Sequence, residues 1–140
     1  MHVTGSCHCG AIRIEAEAKE DWVALCYCTD CQKFSGSAFR GRVQALRETM
    51  NVTNGNPKTY VKVGESGLRR VQAFCPDCGT SLYADYPDEH IPYVTLSLGF
   101  LDQREHLVPK VRLWRRSTLQ WVERLDEAPS LEKQDFEKLA

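Results

Sequence analysis

A chain of 140 residues is long enough for one domain with its own core, with little apolar area in reserve. Hydrophobic residues make up 42% and charged residues 26%, a globular balance that excludes global disorder. Eighteen basic against nineteen acidic residues leave a formal charge of −1, which excludes a whole-chain field for nucleic acid or anionic lipid. The start, Met1-His2-Val3-Thr4-Gly5-Ser6-Cys7, has neither a basic segment nor an apolar core, so no signal peptide is expected. The longest mostly apolar run, residues 93–101, is too short and too polar to span a bilayer. The expectation is a soluble cytoplasmic protein with reduced thiols. There, seven cysteines point to metal before disulfide, and an odd number cannot pair completely within one chain.

Ile12, Ile14, Ala16 and Ala18 alternate with charged residues, which predicts a strand with one buried face. A second strand, Trp22-Val23-Ala24-Leu25, delivers the chain into Cys26-Tyr27-Cys28-Thr29-Asp30-Cys31. Residues 29–34 predict a short turn or a single helical turn, closed by Ser35-Gly36-Ser37, and residues 38–43 another strand. Residues 47–51 are ambiguous, and Asn54-Gly55-Asn56-Pro57 is a turn. Residues 59–63 and 68–74 predict a hairpin broken at Gly64-Glu65-Ser66-Gly67. Strands follow at 80–84, 93–98 and 110–115. Residues 130–139 alone look helical, with Ser130 as cap and Leu131, Phe136 and Leu139 roughly on one side. The chain therefore predicts an all-β domain over residues 1–128 and a short helical tail over 129–140.

The cysteines fall into two groups. Cys7 and Cys9 precede the first predicted strand, and Cys75-Pro76-Asp77-Cys78-Gly79 has the form of a knuckle, a tight turn that aims two thiolates at one ion. Joined at a metal, the two pairs would close a long loop and make site and fold form together. Ordinary buried cysteines or a disulfide are the alternatives. Cys26, Cys28 and Cys31 then remain as a trio. Three protein ligands leave a fourth position for water or substrate, as a working zinc requires. A second structural zinc completed by His2, His8, His90 or His106, or a redox-sensitive thiol cluster, would use the same residues differently. A bound zinc lowers the pKa of a thiol or water and polarises a carbonyl oxygen. Ser35, Gly36 and Ser37, just after the trio, are candidate donors to a polar ligand.

Gly5-Ser6-Cys7-His8-Cys9-Gly10, then Cys26-x-Cys28-x-x-Cys31 followed by Ser35-Gly36, then Phe74-Cys75-x-x-Cys78-Gly79, resemble the glutathione-dependent formaldehyde-activating enzyme (GFA) family, which includes centromere protein V. The resemblance runs from about residue 3 to about residue 125. It implies a β-tent of antiparallel sheets, as in methionine sulfoxide reductase B. It also implies two zinc ions per chain: a structural one at Cys7, Cys9, Cys75 and Cys78, and a catalytic one at Cys26, Cys28 and Cys31. The implied activity is that of a carbon–sulfur lyase, joining glutathione to formaldehyde. One departure stands out: Arg112 occupies the place where the family commonly carries a histidine near the C-terminus.

The leading expectation is thus an enzyme acting on a small thiol and a small aldehyde, with Lys33, Arg40 and Arg42 as candidates to receive the carboxylates of glutathione. The alternative is a zinc-stabilised scaffold without turnover, whose testable form is nucleic-acid binding through Arg112, Arg115 and Arg116. The near-neutral charge argues against it. A sulfoxide reductase would need a nucleophilic cysteine outside its zinc cluster, and both groups together use all seven.

Overall fold

A computed structural model describes residues 1–139. Its organising element is one long strand, β2 (Arg13–Cys26), which belongs to two sheets. The first half of β2 lies between β1 (His2–Ser6) and β4 (Asn51–Asn54), both antiparallel to it. Its second half lies between β3 (Arg40–Leu46), antiparallel, and β9 (Val111–Leu113), parallel. From β3 the second sheet runs on through β8 (Tyr93–Ser97), β7 (Ser81–Asp85), β6 (Arg69–Phe74) and β5 (Lys58–Val63), each antiparallel to the last. The all-β expectation holds, and two sheets joined along one strand give the tent-like form.

The two predicted strands at 12–19 and 22–25 are one. The pairing with β3 jumps from Ala18↔Ala45 to Val23↔Val43, so a bulge absorbs the residues between. The side-chain pattern shows why. Ile14, Ala16 and Ala18 are buried in one phase, Lys19-Glu20-Asp21 interrupt it, and burial resumes at Val23, Ala24 and Cys26. The interruption looks like a loop in the sequence but is a bend that hands β2 from one sheet to the other.

Ile12, Ile14, Val23, Val43, Leu82, Leu96, Leu101 and Leu107 are almost fully buried and form a single core. Gly5, midway along β1, is bridged to Leu101, and a Cβ there would sit 2.6 Å from the Phe100 ring. The hairpin of residues 59–63 and 68–74 is β5–β6. The ambiguous 47–51 stretch is a 3-10 turn (Arg47–Thr49) leading into β4.

The C-terminal helix is shorter than predicted. Only Phe136–Leu139 is helical (α2), and Asp135 rather than Ser130 caps it, its carboxylate accepting from the Glu137 and Lys138 amides. The reason is that the tail has nothing to pack on: Phe136 is 75% exposed and Leu131 is exposed too, so no buried stripe extends the helix back to residue 130. Among the described residues no helix is long and apolar enough to cross a membrane.

Candidate active site

Cys7 and Cys9 lie in the turn between β1 and β2, and Cys75 and Cys78 in the turn between β6 and β7. The fold brings these two turns together. The Cys7 and Cys9 sulfurs are 3.6 Å apart and those of Cys9 and Cys75 3.7 Å apart, and all four lie within 4.8 Å of one another. A tetrahedron of thiolates about 2.3 Å from a zinc ion has edges of about 3.8 Å, so the quartet fits such an ion. A disulfide needs about 2.05 Å, and none of the four cysteines is joined by one. Cys7 and Cys75 are part of the main core, and the Ile12 amide donates to the Cys7 sulfur at 3.2 Å. On the solvent side the Thr80 hydroxyl, 3.2 Å from Cys78, holds that thiol down to about 5.

Cys26 ends β2, and the chain turns at once into α1 (Thr29–Ser35), a helix of seven residues. Cys28 is its N-cap: its sulfur accepts the Cys31 amide at 3.3 Å, taking the place a serine or aspartate oxygen usually fills. One turn of helix therefore sets Cys31 beside Cys28, while the strand end supplies Cys26, 3.5 Å from Cys28. The three sulfurs lie within 4.8 Å of one another, and among the described residues no histidine joins them. The Cys31 thiol hydrogen-bonds to Cys26 and, with the Cys28 amide and sulfur and the charge of Arg42, holds Cys26 down to about 5. Cys31 is pushed up by the same bond and by burial.

Both clusters can hold a metal ion. The trio faces a cavity. It has a volume of about 680 Å³, and the trio lies beside Arg40 and Arg42, with Lys62, Arg70 and Arg116 further round the wall. Register explains the inner pair: Arg40 on β3 is the direct cross-strand partner of Cys26, and Arg42, two residues on, points to the same face. Arg40 is 7% exposed and donates to Gln72 Oε1 at 2.8 Å, and Arg42 donates to the Tyr86 hydroxyl. Among the described residues neither has an acidic partner, and the Nε of each is buried without an acceptor.

Arg40 and Arg42 are thus where the sequence placed them, but Lys33 is exposed on the outer side of α1 and lines nothing. Ser35 and Gly36 also stand away from the cavity. The Ser35 hydroxyl donates to the Phe39 carbonyl at 3.1 Å, and Gly36 closes α1 in the left-handed conformation with φ 61°. They end the helix and do not line this cavity, because α1 points its C-terminus away from the trio.

The far wall was not legible. The chain returns as β9, where the Tyr27 amide donates to the Leu113 carbonyl at 2.9 Å. The Gln32 amide group then bridges the Tyr27 and Ser117 carbonyls at 2.9 and 3.1 Å. These bonds dock residues 113–117 onto the trio loop and put Trp114, Arg116 and Ser117 in the cavity wall. Trp114 adopts φ 57°, a strained choice for a bulky residue. Lys62 and Arg70 arrive from the β5–β6 hairpin, well beyond α1 in the sequence.

Arg112 does not enter the cavity. Its guanidinium pairs with Glu123 at 2.6 Å and lies over the Tyr27 ring at 4.7 Å. Arg115 approaches the same carboxylate at 3.5 Å, and Arg116 stacks on Trp114. The run Arg112, Arg115, Arg116 is split between an ion-pair cluster and the cavity, and forms no continuous basic face.

The sequence matches the family described as glutathione-dependent formaldehyde-activating enzyme over residues 2–117. It is 29% identical over 89 residues to an uncharacterized lyase of Schizosaccharomyces pombe, covering 64% of this chain and 61% of that protein. It is 29% identical over 99 residues to a Penicillium rubens protein provisionally named a glutathione-dependent formaldehyde-activating enzyme, covering 66% of this chain and 51% of that one. The chain thus spans about half to three-fifths of the length of these relatives. A crystal structure of a Rhodobacter sphaeroides protein shares the fold, with a TM-score of 0.59 and 22% identity, over 78% of this chain and 98% of that one. With 116 consecutive positions matched and both cysteine clusters assembled, the chain belongs to the glutathione-dependent formaldehyde-activating enzyme family.

Proposed function

We propose that this protein is a zinc-dependent carbon–sulfur lyase-type enzyme that adds a thiol such as glutathione to a small aldehyde such as formaldehyde, or reverses that addition. Cys7, Cys9, Cys75 and Cys78 hold a structural zinc; Cys26, Cys28 and Cys31 hold a catalytic one. A cytoplasmic location belongs to this reading, since thiols are kept reduced there and available to zinc. The observation that carries it is the contrast between the clusters: the quartet is complete and outside the cavity, whereas the trio stops at three thiols on the wall of a cationic one.

A zinc ion in the trio supplies a Lewis acid and favours a thiolate over a thiol. In the addition, a bond forms between the thiol sulfur and the carbonyl carbon, the carbonyl π pair moves to oxygen, and the proton lost by the thiol ends there. The chain's own residues set this up. Arg40 and Arg42, without acidic partners, favour an anionic sulfur beside the trio. Lys62, beside Asp30, and Arg116 are placed for charge-assisted hydrogen bonds to carboxylates of the thiol substrate. Holding both reactants in one cavity contributes through proximity.

Cys28→Ser tests the reading. Serine is a good N-cap, so α1 should survive the exchange. The variant is expected to keep its circular dichroism spectrum, bind one zinc equivalent instead of two, and lose turnover of glutathione with formaldehyde. Retained turnover would overturn the assignment of the trio, and a wild type that binds two zinc ions yet turns over no thiol and aldehyde would favour a scaffold.

A further inference from the structure

The cationic cavity does not end at Phe34 and Gln72. These two residues also form the wall of a second hollow of about 350 Å³, lined besides by Tyr60, Ala73, Phe74, Gly79 and Ser81 and mostly apolar. The β5–β6 register makes the two hollows continuous. Lys62↔Arg70, Tyr60↔Gln72 and Lys58↔Phe74 are successive cross-strand pairs two residues apart, so all six residues share one face of the hairpin, Lys58 outside both linings. Along that face the lining passes from charged to aromatic. Phe34 of α1 spans the junction: the Arg40 guanidinium lies 5.6 Å from its ring, and the Tyr60 ring 6.2 Å from it on the apolar side. Tyr60 is 56% exposed, an aromatic left open along the groove.

Formaldehyde carries no apolar group, and glutathione is polar along its length. Neither fills this extension. We infer that the apolar hollow beside Phe34 and Tyr60 is a subsite for the carbonyl substrate, which carries an alkyl or aryl group. The inference rests on the proposed reading of the trio and names its substrate class: aldehydes larger than formaldehyde, with the carbonyl toward the trio and the apolar group along the β5–β6 face. The bond changes are those of the addition above. The hollow contributes burial of the tail, which a one-carbon aldehyde cannot use.

The test uses unreactive carbonyl probes on the full, zinc-loaded chain. Hexanamide mimics a six-carbon aldehyde and formamide mimics formaldehyde, and neither needs glutathione or turnover. In nuclear magnetic resonance titrations, hexanamide is expected to shift Phe34, Tyr60 and Phe74 and to bind at least about tenfold more tightly than formamide. Tyr60→Ser, on an exposed edge strand and so safe for folding, should remove most of that preference and leave formamide unaffected. Equal affinities, shifts confined to other surfaces, or a preference undiminished in Tyr60→Ser would overturn the inference. The two readings fail separately: probe preference without any thiol–aldehyde turnover would sink the lyase reading, whereas turnover of formaldehyde without probe preference would sink the subsite.

Discussion

Replacing Cys75 with serine should cost far more stability than replacing any member of the trio, and the difference follows from loop length. The quartet joins Cys9 to Cys75, 66 residues apart in sequence, so an ion held there closes a long loop that an unfolded chain would have to close by chance. Taken as a crosslink, a loop of that length corresponds to about 4 kcal/mol at 25 °C. The trio closes only the short run Cys26 to Cys31, for which the same relation gives about 2 kcal/mol, and α1 already constrains that run. Against a typical stability of about 5–15 kcal/mol, the first loss consumes a large share, and it lowers the melting temperature by roughly 10 °C in a chain of this size. Urea unfolding followed by tryptophan fluorescence, with zinc counted per chain, reads both quantities. A Cys75→Ser variant that loses its zinc equivalent but stays within about 1 kcal/mol of wild type would refute the clamp.

Further outcomes follow from single contacts. Gly5→Ala places a Cβ 2.6 Å from the Phe100 ring and 2.7 Å from its carbonyl oxygen, and backbone cannot swing aside; a loss of about 1–3 kcal/mol is expected by chemical denaturation. Asp88 accepts from the Arg69 amide and guanidinium, which hold its carboxyl down to about 2. Because the folded value lies below the unfolded one of about 3.9, its contribution is complete above the unfolded value and is lost as pH falls through the folded one. A carboxyl-detected titration should show that low midpoint in wild type and a return toward 3.9 in Arg69→Ala. Arg112→Ala breaks an exposed pair with Glu123 and leaves the cavity wall intact, so stability should change by less than about 1 kcal/mol and turnover by no more than about threefold. A larger loss of turnover would show that Arg112 acts through Tyr27 on the trio.

What could be read from the chain was whatever it writes locally. Cysteine spacing is local, so the four-plus-three division was visible, and so was the alternation at Ile12, Ile14, Ala16 and Ala18. The edges of the site were not. The β5–β6 hairpin was visible in the sequence, but not that it carries Lys62 and Arg70 to the cavity; the parallel docking of β9 on β2, which brings Arg116, leaves no mark in composition or period. Ser35 and Gly36 stand off the cavity wall for the opposite reason. Adjacency in sequence to Cys31 says nothing of direction, and one helix of seven residues is enough to carry them to its far end. Trp114 had no signal, since a left-handed backbone at a non-glycine residue is set by what surrounds it.

The placement of the quartet gives it a second consequence beyond stability. β6 starts at Arg69, puts Arg70 in the cavity wall, carries Gln72 at the boundary and Phe74 in the apolar hollow, and runs directly into Cys75. Gly79 and Ser81, just beyond Cys78, line the same hollow. On the proposed reading, the strand that lines the hollow is anchored at one end by the quartet's zinc, and the buried Gln72 that receives Arg40 lies three residues from Cys75. A loosened quartet would let this wall shift, so a Cys75→Ser chain kept folded at low temperature should bind hexanamide more weakly while its trio still takes up zinc. Unchanged hexanamide affinity in that variant would mean that β7 and Arg40 hold β6 in place without the clamp.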